Sequence, residues 1–157
     1  MSLSPLAAYA LQAFDAVVAA DVGFRDRPGQ RQMAEQVART FAEAALGKAD
    51  DDAAEPVRSI AVIQAGTGVG KSLAYSVPAI AMALARGTRV LISTATVALQ
   101  EQLVHKDLPA LAARMEQPFA FALAKGRGRY VCKLKLERLA GTGEADGDPE
   151  DDDLFPE

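Results

Sequence analysis

The chain has 157 residues, half of them hydrophobic and 24% charged, the balance of one globular domain. That excludes wholesale disorder, a collagen and a coiled-coil rod, and a single cysteine excludes a disulfide framework or an all-cysteine metal site. The net charge of −4 hides a divided chain: residues 141–157 hold eight acids and no base, which leaves 13 acids against all 17 bases, a net of +4, in the rest. An acidic total therefore does not exclude nucleic acid as a partner. No apolar run reaches the length of about 20 residues that a membrane span needs. The first 24 residues carry no Lys or Arg, which argues against a secretory signal or a mitochondrial presequence. The expected location is cytoplasmic and nucleoid-associated.

Ser4-Pro5 predicts a helix start, with a capping side chain before a proline at the first helical position. Leu6, Tyr9, Ala10, Ala13, Phe14, Val17 and Val18 then form one apolar face, and Gly23 closes the segment. Arg27-Pro28-Gly29 reads as a break. Met33, Val37, Phe41 and Ala45 recur every four residues, with Gly47 just beyond. Residues 48–56 are polar and acidic, a surface loop.

The pattern then changes. Ile60-Ala61-Val62-Ile63 is a short apolar run, the mark of a strand buried on both faces. A glycine-rich turn leads into a helix over 71–86, with Pro78 inside it predicting a kink or a frayed turn and Gly87 ending it. Residues 89–94 read as a second strand, 97–106 as a helix and 119–123 as a third strand. Strands alternating with helices over short links imply an α/β fold, a parallel sheet flanked by helices. Ligands in such sheets sit at the carboxyl ends of the strands. The acidic tail, 141–157, is expected to be disordered.

The sharpest motif is Ala65-Gly66-Thr67-Gly68-Val69-Gly70-Lys71-Ser72, placed between a strand and a helix. Its first position departs from the strict P-loop pattern, with Ala65 in place of glycine. Glycines let successive N–H groups turn inward around a phosphate, and the new helix adds its positive end. Lys71 can reach β- and γ-phosphates, and Ser72 can offer its hydroxyl to Mg²⁺. These two are the candidate catalytic residues, and Gly66, Thr67, Gly68, Val69 and Gly70 complete the ATP–Mg²⁺ site. No acid follows an apolar strand where a Mg²⁺-binding carboxylate would be expected.

Three further stretches narrow the reading. Residues 27–33, Arg-Pro-Gly-Gln-Arg-Gln-Met, resemble the adenine-sensing glutamine element of superfamily 2 helicases, with Gln30 as the base contact. Residues 93–103, Ser-Thr-Ala-Thr-Val-Ala-Leu-Gln-Glu-Gln-Leu, resemble helicase motif Ia. Residues 125–132, Lys-Gly-Arg-Gly-Arg-Tyr-Val-Cys, resemble the entry to the iron–sulfur insertion of the DinG/XPD group. Over about residues 24–140 the chain thus resembles the N-terminal part of bacterial DinG-type, XPD-like iron–sulfur DNA helicases.

The resemblance implies a partial RecA-like motor domain over 25–124, after an N-terminal helix at 1–24. The start of the iron–sulfur insertion follows at 125–140, then the acidic tail. It implies ATP-driven 5′-to-3′ movement on single-stranded DNA by an enzyme of two motor domains. The chain stops before a DEAH-type carboxylate, the other cluster cysteines and the second motor domain, and reads as a fragment, a truncated product or one half of a split gene, inactive alone. Ser93, Thr94, Thr96 and Gln100 would contact DNA, with Arg127, Arg129 and Tyr130 in a basic patch. Cys132 would be the first ligand of a 4Fe–4S cluster present only in the full-length protein.

Plainer readings stand beside these. The strand-end hydroxyls are also helix caps, Gln100 and Gln102 also a solvated helix face, and the basic run also a solvated helix. A lone cysteine is usually a small buried hydrophobe. His105 beside Lys106 suits a helix C-terminus. As whole-chain alternatives, a small stand-alone P-loop kinase or NTPase would need a catalytic carboxylate and a phosphate lid, and an inactive remnant would act as an interaction module.

Overall fold

The computed structural model describes residues 2–20, 27–45 and 56–140. They fall into two compact units, residues 1–122 and 123–157. The sequence readings at Gly23, Gly47, residues 48–55 and the acidic tail lie outside the described residues.

In the first unit, helix α1 spans Pro5–Ala19, and the Ser4 hydroxyl accepts from the Ala7 N–H at 3.3 Å, as the Ser-Pro start predicts. Its buried stripe is Ala7, Ala10, Leu11, Phe14 and Val17, while Tyr9 lies at the exposed margin. Helix α2 spans Pro28–Glu43 and begins earlier than the sequence pattern suggests. Arg27-Pro28-Gly29 is no break: Arg27 occupies the cap and Pro28 the first helical position, where a missing N–H costs nothing. This places Gln30 in the first turn, where it is buried with Ala34, Val37 and Ala38.

Helix α3 spans Lys71–Arg86 and ends at Gly87 in the left-handed conformation, φ 62°. It runs on through Pro78 without a frayed turn, and the proline ring is buried. Gln30 donates to the Gly70 carbonyl at the start of α3, and Arg86 at its end donates to the Ala42 carbonyl at 3.2 Å. Start meets start and end meets end, so α2 and α3 run parallel. Asp15 on α1 receives a two-pronged bond from Arg31 on α2, both arms 2.9 Å. Half-exposed as it is, that pair adds little stability.

The predicted helix at 97–106 is longer and broken in kind. Helix α4, Val97–Gln102, passes into a π-helical turn, Leu103–Asp107, and then α5, Leu108–Ala112. Pro109 accounts for the wide turn. Its ring would collide with the His105 carbonyl in an α-turn and it has no N–H to donate, so Leu108 reaches back to Leu103 instead. Leu103, Leu108 and Leu111 join Phe14, Val17, Val77 and Ile80 in the core.

The three predicted strands form no ladder among the described residues. The one bridge there is antiparallel, Ala45 with Val57, through two 3.0 Å bonds. Two of the segments, at 60–63 and 90–92, nevertheless keep a strand's period of two. Ile60 and Val62 point to solvent, 83% and 95% exposed, with Ala61 and Ile63 partly covered between them. Leu91 is 89% exposed, and Val90 and Ile92 on either side are partly covered. The expectation of burial on both faces of 60–63 is corrected: Ile60 and Val62 lie in solvent, and only Ala61 and Ile63 are partly covered. A hydrophobic run reports that burial is sought, not how many faces obtain it.

Alanines with essentially no exposure stand in each main helix, Ala10 in α1, Ala34 and Ala38 in α2, Ala74 and Ala81 in α3. A larger side chain there must force the helices apart. Ala38→Leu should destabilise the chain by about 1–3 kcal/mol, read as a shift of the denaturation midpoint, while Ala8→Leu on the exposed face of α1 should change it by less than about 0.5 kcal/mol.

Candidate nucleotide-binding site

The predicted P-loop sits where α3 begins. Gly68 and Gly70 are left-handed, φ 78° and 85°, and Gly70 is the N-cap of α3. Such a turn, run into a helix start, lines up free N–H groups on a concave face and adds the helix's positive end. Side chains at Gly66 and Gly68 would meet nothing within 4 Å, so the loop has open space beside it. Gly70 is different: a Cβ there would lie 2.1 Å from the Gln30 Nε2.

Lys71 and Ser72 occupy the first turn of α3 and are partly buried. The Lys71 ammonium turns back on its own loop, donating to the Ala65 carbonyl at 3.1 Å and the Gly66 carbonyl at 2.7 Å. From the other side, the start of α2 reaches the same loop. Gln30 donates from Nε2 to the Gly70 carbonyl at 2.9 Å, and Arg27 donates from Nη1 to the Gly68 carbonyl. The structure therefore brings together two stretches that the sequence separates by forty residues. Gln30 is 2% exposed and its amide is turned to the loop. Arg27 is a site residue that the motif pattern misses. The one signal for it is an arginine immediately before a helix-starting proline.

In the stretch read from sequence as motif Ia, Ser93 and Thr96 are exposed and Thr94 and Gln100 partly so. The Thr96 hydroxyl caps α4 by accepting from the Leu99 N–H at 3.2 Å, and the Thr94 hydroxyl donates to the Thr96 carbonyl at 3.3 Å. The capping reading thus holds for Thr96. His105 pairs with Glu101 one turn earlier at 2.9 Å, and Gln102 donates to Asp107 at 3.3 Å.

In the second unit, a single 3₁₀ turn, Arg127–Arg129, precedes helix α6, Lys133–Leu139. Tyr130 is 56% exposed, and its hydroxyl accepts from the Lys125 N–H at 2.9 Å, which anchors the ring across the turn. Cys132 caps α6 and is exposed, so it is not the small buried hydrophobe of the plainer reading. Among the described residues no three His, Cys, Asp or Glu side chains gather as a metal site, so these residues do not by themselves hold an iron–sulfur cluster. No described helix is long and apolar enough to cross a membrane.

Residues 29–129 match the profile of the DEAD/DEAH box helicases. The chain belongs to that family. Its membership brings the RecA-like fold, of which the described residues show the helices and the glycine turn at the start of α3. The chain is 56% identical over 79 residues to the ATP-dependent DNA helicase DinG of Photobacterium profundum, covering 50% of this chain and 11% of that one. It is 40% identical over 144 residues to the ATP-dependent helicase DinG of Mycobacterium tuberculosis, covering 89% of this chain and 20% of the relative. The Escherichia coli DinG helicase is 44% identical over 119 residues, 76% of this chain and 15% of its own. The chain thus spans a fifth or less of the length of these relatives.

The two glycines with the loop's tightest and most open surroundings make a direct comparison. Gly70→Ala meets both a left-handed backbone and the Gln30 amide, and should cost about 2–3 kcal/mol in chemical denaturation. Gly66→Ala meets neither and should stay within about 0.5 kcal/mol of the parent.

Proposed function

We propose that this chain is the nucleotide-binding part of an ATP-dependent DNA helicase motor of the DinG type. It binds ATP–Mg²⁺ through residues 65–72 and single-stranded DNA through the motif Ia stretch and the basic run from Lys125 to Arg138. The observation that carries the reading is the start of α3: two left-handed glycines deliver Lys71 and Ser72 into the first helical turn. There Lys71 meets the β- and γ-phosphates, Ser72 offers its hydroxyl to Mg²⁺, and Gln30 belongs to the same nucleotide site. The period-two segments are the strands of the RecA-like sheet.

In the longer protein, movement runs 5′ to 3′ along one strand, in the cytoplasm at the nucleoid. Ser93, Thr94, Thr96 and Gln100 face the DNA there, and Arg127, Arg129 and Tyr130 supply charge and a stacking ring. Cys132 gives one ligand to a 4Fe–4S cluster whose other ligands lie outside this chain. Its exposure and the six bases between Lys125 and Arg138, opposed by Glu137 alone, support that role.

Removing the Lys71 charge leaves a phosphate without its nearest cation. Lys71→Ala should weaken ATP–Mg²⁺ binding about 100-fold in titration calorimetry with an unchanged circular dichroism spectrum. Equal affinity in both forms rejects the P-loop assignment.

Binding of a single strand through the basic run should release counterions. With four to six phosphates contacted, log affinity should fall against log salt with a slope of about −3 to −4, whatever the base sequence. A flat salt response in fluorescence anisotropy moves DNA binding elsewhere on the chain.

A further inference from the structure

The glycine turn lies at one end of α3. Near the other end stands Leu84, thirteen residues past Lys71 and about 20 Å further along the helix. It borders a cavity of about 180 Å³. None of the residues around that cavity belongs to the nucleotide site or to the stretches read as facing DNA.

Helix α1 and the turn after α5 build the rest of its wall. Tyr9, Gln12, Ala13, Ala16 and Val17 recur at helical spacings of three and four, so they share one face of α1, at the margin of its core stripe. At Ala13 and Ala16 that face carries only methyl groups, which leaves the hollow. The Tyr9 hydroxyl donates to the Gln117 Oε1 at 3.4 Å, an exposed bond at the long end of the range, and so ties α1 to the turn.

The lining divides by polarity. Val17 is buried, and Ala13, Leu84 and Met115 are partly so, which makes an apolar floor with one polarisable sulfur. Tyr9, Gln12, Arg114, Glu116 and Gln117 are exposed and form a rim of a hydroxyl, two amides and two opposed charges. An arginine matched by a carboxylate gives no net field to draw in an anion, so phosphate is not the ligand. A dry cavity of about 150 Å³ holds one benzene ring, and this one is large enough for a ring with a small substituent. An apolar wall with a few polar groups that fix orientation is the usual makeup of a small-molecule site.

We infer that the cavity is a second ligand site, for a small neutral molecule of one ring with a hydroxyl or amide substituent. The ring lies on Ala13, Val17, Leu84 and Met115, and the substituent meets the Tyr9 and Gln117 side chains at the rim. The long bond between those two yields at little cost, because both groups are exposed and keep water as a partner.

Phenol is the probe, and toluene, of equal size without the hydroxyl, is its comparison. In methyl proton–carbon spectra of the chain, phenol should shift the Ala13, Ala16, Val17, Leu84 and Met115 signals saturably, with a Kd of about 1 mM, and leave the Val69 methyls of the glycine turn in place. Shifts that do not saturate and spread over the chain overturn the site. Toluene should bind at least about threefold more weakly. Equal affinity for the two removes the rim from recognition and overturns the ligand class.

Ala16→Leu, at an exposed position, puts a larger group in the cavity mouth. It should weaken phenol binding at least about tenfold with an unchanged circular dichroism spectrum, while Ala8→Leu, exposed on the same helix but outside the cavity, should leave binding as it was. Undiminished binding in Ala16→Leu overturns the proposal. In the parent chain, nuclear Overhauser contacts from the phenol ring to the Ala13, Leu84 and Met115 methyls should place the ring without any variant. Contacts confined to other methyls overturn the proposal as well.

Discussion

The 2.9 Å bond from Gln30 to the Gly70 carbonyl is the contact that the rest of the described core has to permit. A buried amide without a partner costs about 1–3 kcal/mol, so Gln30 on the inner face of α2 must find an acceptor. The acceptor it finds is the carbonyl at which α3 starts. That places three demands on one residue. Gly70 must take a left-handed backbone, cap a helix and carry no Cβ, because a Cβ would lie 2.1 Å from the Gln30 nitrogen. Only glycine meets all three. The residue that makes the left-handed turn possible is thus the residue that lets α2 dock on it.

Docking at that distance requires close helices along their length. Ala34 and Ala38 on α2 and Ala74 and Ala81 on α3 are fully buried, and Arg86 ties the far end to the Ala42 carbonyl. Small side chains keep helix axes at the short end of the usual range of about 8–10 Å. Bulk comes from elsewhere, from Phe14, Val17 and Leu11 on α1 and Met82 on α3. The alanine seam is therefore more than a packing solution. It sets the reach of Gln30 and Arg27 to a loop on the neighbouring helix, a matter in which tenths of an ångström decide whether a hydrogen bond forms.

Much of this is legible in the amino-acid sequence. The Ser4-Pro5 start, the α3 span and the glycine turn before it follow from local chemistry, because caps and left-handed glycines are decided within a few residues. What stays hidden depends on distant partners or on a rule that cuts two ways. Pro28 would break a helix in the middle but starts one at its first position, and only the packing of the first turn of α2 decides which applies. Gln30 carries no apolar signature, so periodicity registers Met33 and Phe41 and passes over the buried amide. The π-turn follows from Pro109 one helical turn beyond His105, a local cause that a plain helical period does not reveal. Two strand segments, 60–63 and 90–92, show period-two exposure with no ladder among the described residues, since alternation specifies faces and not pairing partners.

The loop is held by two sets of bonds that differ in kind. Lys71 donates to the Ala65 and Gly66 carbonyls, which are neutral acceptors, and Gly66 is exposed. Charged phosphate oxygens form hydrogen bonds roughly twice as strong as neutral carbonyls do, and an exposed carbonyl given up by the ammonium is satisfied by water. Exchange of the exposed Gly66 bond for a bond to an anion would therefore be favoured by charge and opposed by little desolvation, while the Ala65 bond is partly buried. The bonds from Arg27 and Gln30 lie on the carbonyl side of their peptides, opposite the N–H groups that an anion would meet. An arriving phosphate has no need to break them. The motif's own lysine thus holds the loop from within, and α2 holds it from the neighbouring helix.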